Sequence, residues 1–173
     1  MADYRARKAP EAFMELAHFS RRESIDAVLR DAGLARVEGK KLRHQWRVAN
    51  SVLRRSVEIL VANAIVLRQS QSFDDLLGVV ERLIGPLKGI GKLTIYDTAV
   101  RIGAFLGHEP DKVFLHAGTR DGAKALGLDG ARPFLMPSEL PEAFRQLAPR
   151  EIEDCLCIYK RHLKRLVRRW RNR

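Results

Sequence analysis

A chain of 173 residues with 46% apolar side chains has the size of one domain and the material for a hydrophobic core. It carries 32 Lys and Arg against 21 Asp and Glu, a formal charge of +11, which points to an acidic partner, nucleic acid or anionic membrane, and says nothing of fold. Two cysteines only one residue apart, Cys155 and Cys157, exclude a disulfide framework and a Cys-rich zinc site.

Pro10 stands where a first helix can begin, and residues 11–19 have helical apolar spacing. Ser20 is placed to cap a second helix through RRESIDAVLRDAGL, ending near Gly33. After the basic stretch EGKKLRHQ, residues 46–67 read as one long helix or as two with a short break. Val48, Val52, Val57, Leu60 and Val61 follow helical rather than alternating spacing there. Arg47, Arg54 and Arg55 are expected toward solvent, with one of them able to reach a bound phosphate.

Ser72 opens SFDDLLGVVERLIGPL, in which Asp74 and Asp75 complement the helix dipole and Leu76, Val79, Val80 and Leu83 form an apolar stripe. Pro86 discourages continuation. A new helix is expected from near Lys92 to Gly107, with HEP as its linker. The 112–126 segment reads as another helix, followed by the turn-rich GLDGARPFLMPSELP. No repeated strand signature emerges, so residues 1–173 are expected to form a single, compact, all-α multi-helix domain.

The last element is the clearest. Pro149 can start a helix, and Ile152, Leu156, Tyr159, Leu163, Leu166 and Trp170 recur at alternating four- and three-residue intervals as one stripe. Arg161, Lys164, Arg165, Arg168 and Arg169 occupy much of the remaining surface of this basic amphipathic helix, residues 149–173. Eight Lys and Arg, and no acid, fall within residues 160–173. A solvated terminal helix, a nucleic-acid contact and docking on a membrane surface or partner helix all fit that pattern.

The N-terminal MADYRARKAPEAFMELAHF has no signal-peptide apolar core, and the apolar stretch at residues 59–67 is too short to span a bilayer, so a soluble cytoplasmic protein is expected. His18, His44, His108, His116 and His162 are scattered without a close ligand spacing, and Cys155 and Cys157 point in different directions on a helix. A Walker A motif and a dinucleotide fingerprint are absent from the sequence. Neither a metal nor a cofactor is expected.

LIGPLKGIGKLTIYDTAVRIG, residues 83–103, places Gly89, Ile90 and Gly91 between two helical stretches. Two glycines permit a tight turn whose peptide groups approach another molecule without Cβ clashes. With Lys92 at the start of the next helix, the free N–H groups and the helix terminus favour an anion, and the Lys92 ammonium adds a contact to the same phosphate. An ordinary turn between packed helices accounts for the same residues. The wider string LKGIGKLT resembles the helix-hairpin-helix motif, and FLHAGTRDGAKALG resembles the next helix of the helix-hairpin-helix DNA-glycosylase superfamily, the whole covering roughly residues 72–127. The resemblance implies DNA repair as the setting, a hairpin built on Gly89 and Gly91 with Lys92 just after it, and phosphate held by backbone groups and nearby basic residues.

The family's chemistry is matched less well. Leu93 occupies the position of the lysine of the bifunctional members, and Leu115 the position of the general catalytic aspartate when the later helix is aligned through Arg120 and Lys124. A small insertion instead aligns Asp111 with the acidic site. Ile95 also replaces a small residue of the second motif helix. Leucine supplies neither an amine nucleophile nor a carboxylate, so the departures favour binding over base excision. Asp97 and His116 form a further acid–base possibility, against a simpler one in which Tyr96 packs, Asp97 pairs with a base such as Arg101 four residues on, and His116 bonds a loop.

The leading expectation is therefore DNA binding without sequence specificity or selective for DNA structure, to duplex or damaged DNA, through the hairpin and the terminal basic helix. The runner-up is a divergent DNA glycosylase or related processing enzyme using Asp97, Asp111 or His116. The third is an adaptor docking on a protein, less readily on a membrane.

Overall fold

The computed structural model describes residues 2–171, with side chains from residue 3 to residue 165. The chain divides into two compact units, Glu11–Glu109 on the one hand and Met1–Pro10 with Pro110–Arg173 on the other. In order, the elements are α1 (Ala2–Arg7), α2 (Ala9–Ser20), α3 (Ile25–Leu34), β1 (Arg36–Val37), β2 (Lys40–Lys41), α4 (Asn50–Ala62) and α5 (Ala64–Arg68). Then follow α6 (Phe73–Ile84), α7 (Lys92–Leu106), β3 (Val113–Phe114), α8 (Ala117–Ala125), β4 (Phe134–Leu135) and α9 (Pro149–Arg171). Helix makes up 66% of the chain and the strands are two-residue pieces, so the fold is all-α as the periodicity predicts.

In the Glu11–Glu109 unit, α3 is capped by Ser24 rather than by Ser20. The Ser24 hydroxyl accepts the Ala27 N–H at 3.3 Å, whereas Ser20 donates to the Ala17 carbonyl and stays with the end of α2. Asp31 of α3 is held by His18 at 3.0 Å and by Arg22, which fastens the exit of α2. Strands β1 and β2 pair antiparallel around Glu38 and Gly39, both at positive φ, as a two-residue hairpin requires.

The stretch from 46 to 67 is two helices, as one of the alternatives has it, but the first begins four residues later. Residues 43–45 form a 3-10 turn, and Lys41 donates to the carbonyls of Trp46 at 3.4 Å and Val48 at 2.6 Å. Those carbonyls are thereby drawn away from a helical ladder. The break falls at Asn63, whose amide donates to the Ile59 carbonyl at 2.8 Å. Helix α4 buries Leu53 and Leu60 against α3, and Gly33 allows the approach because a Cβ there would stand 2.8 Å from Val57 Cγ2.

Ser72 caps α6 by accepting the Asp75 N–H at 3.2 Å, and the stripe of α6 packs on α7. Leu76, Val80, Ile84, Ala99 and Ile102 are buried in that unit, and Phe73 meets Tyr96 edge to face with ring centroids 5.9 Å apart. Gly107, at φ +75, ends α7 as expected.

In the other unit, the expected 112–126 helix begins only at Ala117. Val113 and Phe114 pair instead with Leu135 and Phe134, and the Leu115 N–H donates to the Pro133 carbonyl at 2.8 Å, so tertiary pairing overrides helical spacing there. Val113, Leu115, Leu135, Leu140, Phe144, Ile152 and Leu156 form the core. Tyr4 is fully buried and donates to Asp154 at 2.8 Å, which docks α1 on α9. Burial and then the carboxylate raise its phenol pKa. Cys155 is a packing residue whose thiol burial pushes up to about 12, an unreactive state.

Candidate functional site

Helices α6 and α7 are joined by a turn in which the Leu87 N–H donates to Ile84 at 3.1 Å and the Ile90 N–H to Leu87 at 3.0 Å. Gly89 takes φ +100, a conformation that L side chains rarely adopt, and Gly91 is the N-cap of α7 with no side-chain cap. No heavy atom lies within 4 Å of where a Gly91 Cβ would stand, so the backbone here opens outward. The Ile95 N–H is bonded to the Gly91 carbonyl at 3.1 Å; the N–H groups ahead of it have no carbonyl of their own helix to reach. Lys88 and Lys92 are exposed on either side of the two glycines, Ile90 is half-buried, and Leu93 is half-buried one position into the helix.

Behind this turn lies a polar cluster that the sequence shows only in part. Gln45 is fully buried and donates to Asp97 at 2.6 Å; His44 lies 3.3 Å from the same oxygen. Arg101, 2% exposed, donates through Nε to Glu15 and through Nη2 to the Gln45 side-chain oxygen, each at 3.0 Å. Its approach to Asp97, the pair expected from four-residue spacing, is the looser one at 3.9 Å. The roles of Glu15 and Gln45 carry no local signal, since Glu15 lies 86 positions from Arg101 and Gln45 56.

Burial alone would raise the Asp97 pKa, but the bond from His44, the charges of Arg101 and His44 and the bond from Gln45 outweigh it and hold the carboxyl below the usual Asp value. A carboxylate that binds its proton less readily folded than unfolded stabilises above the ordinary Asp pKa, and this contribution is lost as pH falls through the folded value. Stability to urea is therefore expected to decline below pH about 4, and Asp97→Asn to be less stable at neutral pH and flatter in that acid window. A parent and variant with parallel profiles would refute this.

Asp97 belongs to the Glu11–Glu109 unit and His116 to the other, and each has its own partners. His116 is the N-cap residue of α8 and 6% exposed, with Nε2 2.9 Å from Oε1 of the buried Glu153. Glu153, on the stripe side of α9, lies 37 positions from His116 and carries no local signal of the pairing. Asp111 is exposed beside Lys112 at 3.9 Å, and Leu115 is 3% exposed within the core. Arg47, Arg54 and Arg55 are exposed, as expected, with Arg55 paired to Glu58 at 2.6 Å.

Along α9, Ile152, Leu156 and Leu163 are buried while Arg161, Lys164 and Arg165 are exposed, so the apolar stripe and charged face fall as the spacing predicts. Arg168 and Arg169, also expected to bind, lie outside the residues whose side chains are described, as do Leu166 and Trp170. Among the described residues no group of three or more His, Cys, Asp or Glu is arranged to hold a metal ion, and no helix is long and apolar enough to cross a membrane. No protein-family model, curated protein or solved structure matches this chain.

Proposed function

We propose that this protein binds DNA through phosphate contacts, without reading base sequence, using the turn at residues 89–92 and the basic face of α9. The observation that carries the reading is the turn itself: an open glycine N-cap, a preceding glycine at positive φ, and exposed lysines at 88 and 92 around the start of a fifteen-residue helix. Such contacts fix a protein on the duplex and leave sequence unread. Arg161, Lys164 and Arg165 add a distributed electrostatic contact from the other unit. With leucine at positions 93 and 115, binding without base release is the reading favoured over a glycosylase, and a damaged-base panel is expected to yield no free base.

Fluorescence anisotropy of labelled duplex over a salt series tests this. Lys92→Ala is expected to weaken binding and to reduce the slope of log affinity against log salt by about one phosphate's worth, ~0.9. Replacing Arg161, Lys164 and Arg165 together is expected to flatten it further. Circular dichroism establishes first that each variant is folded. Unchanged affinity and slope in both variants would defeat the proposed DNA surface, and base release lost in Asp97→Asn or Asp111→Asn would replace it with the enzymatic alternative.

A further inference from the structure

We infer that Trp46 is a stacking contact for an unpaired base, and that the protein prefers DNA with a single-stranded gap or bulge over intact duplex. The inference deepens the DNA-binding reading above and rests on it.

Trp46 is 74% exposed, although tryptophan carries the largest apolar side chain in the chain. It stands on a loop that is braced on both sides. Before it, Gln45 is fully buried and bonded to Asp97 and Arg101, and the Trp46 N–H donates to the Arg43 carbonyl at 3.2 Å. After it, the Val48 N–H donates to the Gln45 carbonyl at 2.9 Å. From below, the Lys41 ammonium donates to the carbonyls of Trp46 and Val48 and to Asn50 Oδ1 at 3.2 Å, so its three donors are all engaged in holding the loop. An exposed indole on so fixed a backbone loses little conformational freedom on binding, which favours a rigid aromatic platform over a mobile loop tip.

Charge identifies the partner. Residues 39–50 contain four Lys and Arg and no acid; with Lys41 committed to the loop, Lys40, Arg43 and Arg47 remain exposed on the same short segment as Trp46. An aromatic face among cations matches a nucleic-acid strand, whose bases stack and whose phosphates pair, better than it matches a purely apolar partner. Position joins this loop to the turn described above. Both residues preceding Trp46 bond Asp97 in the second turn of α7, and Val52 in the first turn of α4 lies 4.0 Å from where a Gly89 Cβ would stand. Duplex held by phosphate at residues 89–92 therefore presents its neighbouring nucleotides on the side from which α4 and its preceding loop approach. In an intact duplex the base faces are covered by their neighbours; at a gap or bulge they are free to stack.

The test uses the full chain with Trp170→Phe, which leaves Trp46 as the sole tryptophan. Intact duplex, the same duplex with a short single-stranded gap, and oligo-dT are titrated while anisotropy and Trp46 emission are followed. The gapped duplex is expected to bind more tightly than the intact one and to quench Trp46. Trp46→Ala is expected to lose about tenfold or more on gapped DNA and oligo-dT, with little change on intact duplex. Trp46→Phe, which keeps an aromatic face, is expected to retain most of the gapped-DNA affinity. Circular dichroism confirms the fold of each variant. Equal losses on all DNAs, or none, overturn the stacking role while Lys92-dependent duplex binding still supports the turn. Emission unmoved by DNAs that bind likewise overturns stacking at Trp46, and absence of binding to every DNA defeats both readings.

Discussion

Replacing Arg101 with methionine is expected to lower the unfolding free energy by about 3–5 kcal/mol, the range for breaking a buried ion pair by removing one partner. The guanidinium is 2% exposed and lies between Glu15, Gln45 and Asp97. Methionine fills much of the volume but returns none of the hydrogen bonds. Gln45, fully buried, loses the donor to its side-chain oxygen, and Asp97 loses the cation that helps hold it ionised. Because the net stability of a domain is only about 5–15 kcal/mol, the loss is large enough to read directly in urea unfolding of the full chain followed by circular dichroism. Adding Asp97→Asn to Arg101→Met removes the more buried of the two carboxylates left behind and is expected to return part of the loss. A single variant within about 1 kcal/mol of the parent, the range of an exposed ion pair, would show that the cluster is not a structural tie.

Gly122→Val is expected to cost about 3 kcal/mol or more, because α8 meets α9 with backbone against backbone at this point. A Cβ on Gly122 would fall 2.7 Å from the Leu156 carbonyl carbon and 2.8 Å from its Cα, with the Leu156 oxygen nearer still. None of these atoms belongs to a side chain able to swing aside, so the helices must separate, loosening the core around Ala123, Ile152 and Leu156. Gly118→Ala provides the contrast. Its Cβ would stand 2.5 Å from Cys157 Sγ and 3.3 Å from Lys160 Nζ, side-chain rather than backbone atoms, so the cost is expected to be smaller. Thermal unfolding of the two variants side by side measures the difference. Equal, small shifts would mean that α8 and α9 have room to part.

The base-excision alternative is the one on which placement of residues bears most. Asp97 and His116 lie in different units with separate partners, and Leu115 is a core residue beside the β3–β4 pairing. Asp97 is bonded by Gln45 and His44, with Arg101 farther off, and His116 pairs with Glu153, so distant partners rather than the neighbours expected from spacing hold both side chains. The turn at residues 89–92, proposed above to hold phosphate, does not depend on either pairing.

What the sequence determined by itself are the elements whose signal is local. Helical spacing set α2, α6 and α9; Ser72, Pro86 and Gly107 set boundaries through hydrogen-bond and backbone preferences of the residues themselves; and the glycines at 89 and 91 marked a turn, in which Gly89 takes the positive φ that glycine enters without strain. The division of α9 into a buried stripe and a charged face, as far as residue 165, followed from the same periodicity. Tertiary structure decided whatever depended on a distant partner. Residues 113–114 became strand because residues 134–135 offered backbone pairing; α4 began late because Lys41 captured carbonyls that a helix would have used; and Ser24 prevailed over Ser20 because the latter turned back onto α2. Trp46 reads in sequence as the start of a helical run, whereas it stands in solvent on a loop braced by Gln45 and Lys41. The Glu15–Arg101–Gln45–Asp97 cluster is of the same kind: each side chain has an ordinary local pattern, and its role arises only when three separate segments are brought within hydrogen-bonding distance.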